Sequence, residues 1–254
     1  MVNALERYLE HVRLRELFDR LGAEDAEVLA ENVQHFTVKE AEKRDQIALG
    51  YFGSNGVDRI VNRVVELLLA PPTLESDATA LDVGAGSGFF TARIAEKVRA
   101  KLPWASFFAM DLTPAMLQSL AKKKTDIAAF IGLAENIAGS LAEARKHFAV
   151  PERFDAVFST LMLHHSGQPE KVFESIGHVL NRGGRAVIVD MCRHGFGEFR
   201  TEMGDVHLGF EPEAVRKMAE AHFTAVSVEK LPGIRCESSG RVAEIFAASM
   251  RKGS

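Results

Sequence analysis

The sequence predicts an α/β protein: a doubly wound, mostly parallel seven-stranded sheet with helices on both faces, preceded by an N-terminal helical extension. Three observations support this. Residues 1–72 carry helical periodicity and no strand pattern. Beyond Pro71-Pro72, short apolar runs alternate with amphipathic stretches, as parallel strands joined by helical crossovers do. A glycine-rich turn joins the first apolar run to the stretch after it. On this reading the chain divides into a helical extension or lid over 1–72 and an α/β domain over 73–254.

In the extension, Leu5, Tyr8, Leu9, Val12, Leu17, Phe18 and Leu21 recur at three- and four-residue steps, one apolar stripe of a helix from Ala4 that Gly22 ends. Helices are expected over Asp25–Val33 and Lys39–Leu49, then a turn at Tyr51–Gly56 and a helix over Val57–Leu69. Strands follow at Thr79–Val83, Ser106–Met110, Ile127–Ile131, Phe154–Ser159 and Arg185–Asp190, with helices from Phe89, Pro114, Glu135 and Pro169 between them. A loop containing glycine and histidine, a helix near Pro212–Ala221, and strands at Ala225–Leu231 and Val242–Ala248 complete the pattern.

With 46% hydrophobic and 26% charged residues in 254, the chain can bury a sizeable core and is not of the disordered type. A net charge of -4 supplies no global field for a polyanion, so no nucleic-acid or anionic-membrane partner is expected. Cys192 and Cys236 are too few for a disulfide framework or a four-ligand zinc site, which fits a reducing, cytoplasmic setting. No apolar stretch is long enough to span a membrane, and the first residues lack a signal-peptide core. With no H-E-x-x-H and no C-x-x-C, no metal is expected.

The segment Ala80-Leu81-Asp82-Val83-Gly84-Ala85-Gly86-Ser87-Gly88 ends a strand and opens a helix, a junction where main-chain N–H groups and the helix dipole receive a ligand. Glycine suits it because a side chain in the left-handed region costs about 1–2 kcal/mol, and because a Cβ would hold a ligand off the backbone. A dinucleotide site asks for G-x-G-x-x-G; here the spacing is G-x-G-x-G, with Phe89 where the third glycine would lie. Asp82 would repel a pyrophosphate but suits an ammonium group. Both features favour S-adenosylmethionine. Asp111, ending the second strand, can clasp a ribose, each hydroxyl hydrogen bond being worth about 1.5–3 kcal/mol. Asp111 or Thr113 also suits the N-cap of the helix at Pro114.

Four ordered motifs across Thr79–Asp190 resemble those of the class I S-adenosylmethionine-dependent methyltransferases, in the branch similar to ubiquinone/menaquinone biosynthesis methyltransferases. They are Leu81–Gly88, Met110-Asp111-Leu112-Thr113-Pro114-Ala115-Met116-Leu117, Phe154-Asp155-Ala156-Val157 leading to Leu163-His164-His165, and Val179-Leu180-Asn181-Arg182-Gly183-Gly184-Arg185. The resemblance implies a Rossmann-like fold and methyl transfer. It places Gly84 and Gly86 at the methionine moiety, Asp111 at the ribose, Leu112 at the adenine face and Thr160 at the ammonium through its backbone. Ala134 and Glu135 fall in the adenine-edge motif, where Leu133 replaces the usual acid; Arg182 replaces a proline before the double glycine.

Methyl transfer is an in-line displacement that needs alignment and a dry site more than a nucleophilic side chain. For a hydroxyl, amine or acidic carbon, a base adds about 10²–10⁴-fold. His164 and His165, past the fourth strand at the carboxyl edge of the sheet, are the candidate bases. Tyr51, His194 and His207 are the candidate acceptor-pocket residues, and the loop Met191–Arg200 a cover. A small-molecule methyl acceptor is the expected partner; the alternatives are a protein or RNA methyltransferase, or a catalytically silent S-adenosylmethionine-binding partner subunit. Ser159-Thr160-Leu161-Met162 lacks the run with which related enzymes grip a nucleobase amine. Lys122-Lys123-Lys124 reads as a solvated helix end. The early helices would shield a sheet edge, form a homodimer contact or roof the acceptor site.

Overall fold

A computed structural model of the chain describes residues 4–34 and 36–253. Four helices come first: α1 (Ala4–His11), α2 (Leu14–Leu21), α3 (Ala26–Gln34) and α4 (Val38–Leu68). Then follow β1 (Thr79–Val83), α5 (Phe89–Arg99), β2 (Ser106–Asp111), α6 (Pro114–Lys122), β3 (Ile127–Ile131), α7 (Ile137–Ala144), β4 (Phe154–Thr160), α8 (Pro169–Val179) and β5 (Leu180–Met191). The chain closes with α9 (Phe199–Glu202), α10 (Pro212–Glu220), β6 (Ala225–Ser238) and β7 (Arg241–Arg251).

The seven strands form one sheet in the order β3-β2-β1-β4-β5-β7-β6. β1 to β5 pair in parallel, β7 runs antiparallel to β5, and β6 and β7 make one antiparallel hairpin. The fold is therefore the Rossmann-like, mostly parallel seven-stranded sheet the sequence predicts. Strand alternation explains both covered faces. Leu81, Val83, Val157, Ala186 and Ile188 pack with α7, α8 and α10, whereas Ala80, Ala156, Phe158, Val187 and Val189 pack with α4 and α5.

The last three strands outrun their expected ends, β7 by reaching from Arg241 to Arg251. β5 starts at Leu180 because Leu180 pairs with Phe154 ahead of a register shift that opens before Ala156. β6 reaches Ser238 across a second shift between Lys230 and Arg235, and Arg59 of α4 donates to the Pro232 and Gly233 carbonyls there. Ser239 and Gly240, both at positive φ, then close the hairpin as a two-residue turn requires.

The first expected helix is two. Arg13 is extended (φ -91°, ψ 95°), and the break lets α1 and α2 lay separate stripes on one cluster with Leu117, Leu120, Ala129 and Ile131 of α6 and β3. Gly22, at φ 78°, ends α2 as expected. A capping box starts α4: the Thr37 amide donates to Glu40 Oε2 (2.7 Å) and the Glu40 amide to Thr37 Oγ1 (3.2 Å). The turn expected over Tyr51–Gly56 shrinks to one residue, Gly53, whose φ 63° and ψ 165° kink an otherwise continuous helix. That combination is open essentially to glycine alone.

The two halves of α4 differ in use. Val57, Ile60, Val61, Val64 and Leu68 are buried against β1, β4, β5 and α5, so residues 1–72 and the α/β region share a core. Arg185 of β5 fixes the end of this half, its guanidinium donating to the carbonyls of Leu68, Ala70 and Pro72. Ile60→Ala should therefore cost about 2–5 kcal/mol in urea unfolding, the range for a buried large-to-small change. Ile47→Ala, on the half-exposed first half, should cost below about 1 kcal/mol. Equal effects at the two positions would contradict this division.

Candidate active site

Strand order reverses between β1 and β4, and in open α/β sheets the carboxyl ends of such strands leave a crevice. A cavity of about 370 Å³ lies there, floored by the glycine turn, Asp111 and Thr160 and walled by Arg44, Tyr51 and Phe52 of α4. The turn is held from β2. The amides of Gly84 and Ala85 donate to the Met110 carbonyl (2.8 and 3.0 Å), and the Gly86 amide donates to Asp111 Oδ2 (2.8 Å). Gly84, Gly86 and Gly88 all have positive φ. A Cβ on Gly84 would lie 2.1 Å from Met162 Cγ, and one on Gly88 2.1 Å from Leu120 Cδ1, whereas one on Gly86 would meet no protein atom. Gly86 therefore leaves clear the space a ligand needs to reach the backbone.

Both oxygens of Asp111 accept backbone amides, Oδ1 from Thr113 at 2.8 Å and Oδ2 from Gly86. Burial pushes its carboxyl above the ordinary range, and the amides act against that rise. Asp111 also lines the cavity, and a carboxylate holding two amides keeps lone pairs for further donors. Ala85, Leu112, Ala134 and Thr160 also line the wall, and Thr160 Oγ1 is buried without a hydrogen-bond partner. Leu161 sits at φ 59° with its amide on the Val189 carbonyl, a left-handed conformation costing about 1–2 kcal/mol that turns the chain past Thr160.

Other sequence candidates lie off this wall. Asp82 is only 2% exposed behind the turn, where Oδ2 accepts from Thr91 Oγ1 (2.6 Å) and Oδ1 has no partner. It backs the turn and does not reach the cavity surface, because alternation along β1 turns it toward α5. Gly88 is the N-cap of α5 and makes room for Leu120. Glu135 turns outward to accept from Ser166 Oγ (2.6 Å). Leu133, where an acid is usual, is buried among α1 to α3 and α6 and serves packing. His194 stacks on Phe196 and packs edge-on to Phe199, while His207 packs on Phe210; these rings keep both histidines off the cavity.

His164 and His165 both line it. His164 is buried; its Nδ1 donates to Asp190 Oδ1 at 2.7 Å, and its Nε2 lies 3.6 Å from Asp205 Oδ1. Burial disfavours the charged ring, but Asp190 and then Asp205 outweigh it and raise the pKa. His165 donates from Nδ1 to the Gly204 carbonyl (3.1 Å). His165 is exposed at the cavity mouth; partial loss of hydration there, then the neighbouring His164, lower its pKa, so this ring is neutral near pH 7.

Sequence reasoning offers the early helices as a roof but not the side chains that fasten it. Asp45 of α4 accepts from Ser87 Oγ (2.6 Å) and pairs with Lys123 Nζ (2.5 Å), and Glu42 pairs with Lys122 (2.7 Å). Lys122 and Lys123 thus clamp α4 to α6 and are not merely solvated. No local motif marks Asp45. Asp190 carried a signal, a single acid ending the apolar run Ala186–Val189.

The methyltransferase-domain family model matches residues 74–240, more than half of the chain. The chain belongs to that family, and it is an S-adenosylmethionine-dependent methyltransferase. Solved structures repeat the fold at low identity. Phosphoethanolamine N-methyltransferase 2 of Haemonchus contortus, in complex with S-adenosyl-L-methionine, is 16% identical with TM-score 0.61, covering 96% of this chain and 60% of that one. The N-methyltransferase NodS of Bradyrhizobium japonicum is 15% identical with TM-score 0.54, covering 79% and 98%. The YcgJ protein of Bacillus subtilis is 15% identical with TM-score 0.55, covering 76% and 98%. The sequence finds no match among curated proteins. No described helix is long and apolar enough to cross a membrane.

Gly86→Ala should cost only the backbone strain of a left-handed alanine, about 1–2 kcal/mol, and weaken S-adenosylmethionine binding by 10-fold or more in calorimetric titration, about 1.4 kcal/mol. Gly84→Ala should lower the melting temperature further, since its Cβ also strikes Met162. Wild-type affinity in Gly86→Ala would remove that residue from the ligand's path.

A second prediction concerns Asp82. Burial pushes its carboxyl up to about 7, against an unfolded value of about 3.9. The folded state then binds the extra proton, so this group's contribution falls as pH rises from about 4 to about 7 and is constant above. In ligand-free protein, the stability advantage of Asp82→Asn over wild type should grow across that window and level off. A pH-independent difference would show an ordinary carboxyl.

Proposed function

We propose that the methyl acceptor is a small molecule, taken at an O, N or C atom, that enters between α4 and His164 and His165. The roof carries this reading. Arg44, Ile47, Ala48, Tyr51 and Phe52 cover the cavity, and Asp45 latches that half of α4 to the glycine turn and to α6. A folded polymer does not fit beneath a latched helix, and the net charge of -4 gives RNA no general attraction. The motif similarity to ubiquinone/menaquinone biosynthesis methyltransferases supports the same class of acceptor.

The glycine cradle and the unpartnered Thr160 hydroxyl suit the cofactor: Gly84, Ala85 and Gly86 would hold its methionine part, Asp111 its ribose, and Leu112 and Ala134 its base. When bound, S-adenosylmethionine supplies an electrophilic methyl on a sulfonium. Phe52, Phe89, Phe90 and Met162 exclude water from the transfer path. His164 and His165 position and polarise the acceptor at the cavity's other wall. Gly53 gives the roof its hinge, and the first half of α4 is the lid.

Incubation with labelled methyl donor and separated small-molecule, protein and RNA fractions of a cell extract should place the label in small molecules; label in protein or RNA would overturn the reading. Asp45→Ala removes the latch, so cofactor dissociation should accelerate by about 10-fold, the worth of one charged hydrogen bond of about 1.4 kcal/mol. Unchanged dissociation in stopped-flow would show that the roof does not move during binding.

A further inference from the structure

Asp205 is anomalous. It is 3% exposed, and neither carboxylate oxygen has a hydrogen-bond partner. A buried carboxylate without hydrogen bonds costs several kcal/mol unless a cation answers it, and the ring of His164, its ion-pair partner, stands 3.6 Å away with its other nitrogen already given to Asp190. One ring nitrogen each of His164 and His165 and one oxygen of Asp205 lie within 4.8 Å of one another. The His164 Nε2 to Asp205 Oδ1 separation of 3.6 Å is too long for a hydrogen bond. It is close to the ligand-to-ligand edge, about 3.4 Å, of a tetrahedral site with bonds of about 2.1 Å.

The surroundings are built as a metal site's outer shell is built. Asp190 accepts from His164 Nδ1 and is itself held by the Met191 amide (2.7 Å), fixing the ring with Nε2 toward Asp205. The Gly204 carbonyl accepts from His165 Nδ1, and the amides of Val206 and His207 donate to the His164 carbonyl (3.1 and 2.9 Å). The residues flanking Asp205 are therefore tied to both histidines. Gly209 fixes the far end of the loop, since a Cβ there would lie 2.3 Å from the Cys192 carbonyl oxygen.

We infer that His164, His165 and Asp205 form a binding site for a divalent transition-metal ion, with its open positions facing the acceptor side of the cavity. Two imidazoles and one carboxylate suit zinc, manganese or iron in the divalent state. An ion there acts as a Lewis acid on an acceptor oxygen. Its catalytic use rests on the acceptor placement proposed above; its binding does not. The spacing rules that led to no expected metal fail because Asp205 lies beyond β5 in sequence, and the loop after the strand brings it back.

The test is calorimetric titration of the full-length, chelator-treated protein with zinc, without methyl donor, with cobalt absorption reporting ligand geometry. Wild type should bind one zinc ion, and Asp205→Asn and His165→Ala should each weaken it by 10-fold or more. Asp190→Asn should weaken it less, with the cobalt spectrum altered. His165→Ala, at an exposed position, guards against misfolding, and titration of each variant with S-adenosylmethionine separates loss of metal from loss of the cofactor site. Absence of zinc binding, or affinity unchanged in Asp205→Asn, would overturn the site.

Discussion

The site depends on the Gly86 amide donating to Asp111 Oδ2 across the ends of β1 and β2. With the Met110 carbonyl already holding Gly84 and Ala85, this bond fixes a turn of positive-φ residues that has no intrinsic preference for one shape. The same carboxylate takes the Thr113 amide and so starts α6. One side chain thereby sets the cradle and the helix behind it. Ribose binding and helix capping, which the sequence offers as two readings of Asp111, are compatible because a carboxylate has lone pairs for both.

Much of the fold was legible because its signals are local and repeated. The five parallel strands and the helices at Phe89, Pro114, Pro169 and Pro212 fall where apolar runs and N-terminal prolines put them. The misses come from long-range partners. Nothing near Arg13 announces a break; α6 and β3 supply the surface that favours it. Leu180 joins β5 only because Phe154 is opposite. In the site, the glycine turn, Asp111, Thr160 and the histidine pair were readable as contiguous motifs. Asp45 and Asp205 were not, since each matters through a residue distant in sequence. His194 and His207 show the reverse error: reactive side chains in a flexible-looking loop are here packed against phenylalanines.

The kink at Gly53 connects packing to access. Beyond it α4 is core, and before it the helix touches the glycine turn and α6 through polar contacts of Asp45 and Glu42. The Glu42–Lys122 pair is exposed and individually weak, whereas the Asp45–Lys123 pair is half-buried. Ala48, Leu49, Tyr51 and Phe52 add partly buried apolar contact to this half, while Val57, Ile60, Val61, Val64 and Leu68 root the other half in the core. That gradient of contact across one glycine is what the proposed lid needs.

Charge completes the argument for the kind of ligand. Asp82, Asp190 and Asp205 are buried at or beside the carboxyl ends of the parallel strands, and Asp111 opens onto the same cavity. Of the three, Asp190 is satisfied by the ring and amide of His164 and by the Met191 amide, Asp82 has Thr91 alone, and Asp205 has no hydrogen bond. Arg44 is the lysine or arginine lining the cavity. Burial raises the pKa of Asp82, Asp111 and Asp205, so each carries its full charge only where a cation or a hydrogen-bond donor answers it. A cationic donor is such a partner and a pyrophosphate is not. Glycine spacing and buried acids thus disfavour a dinucleotide by independent routes, one through shape and the other through the cost of setting like charges together.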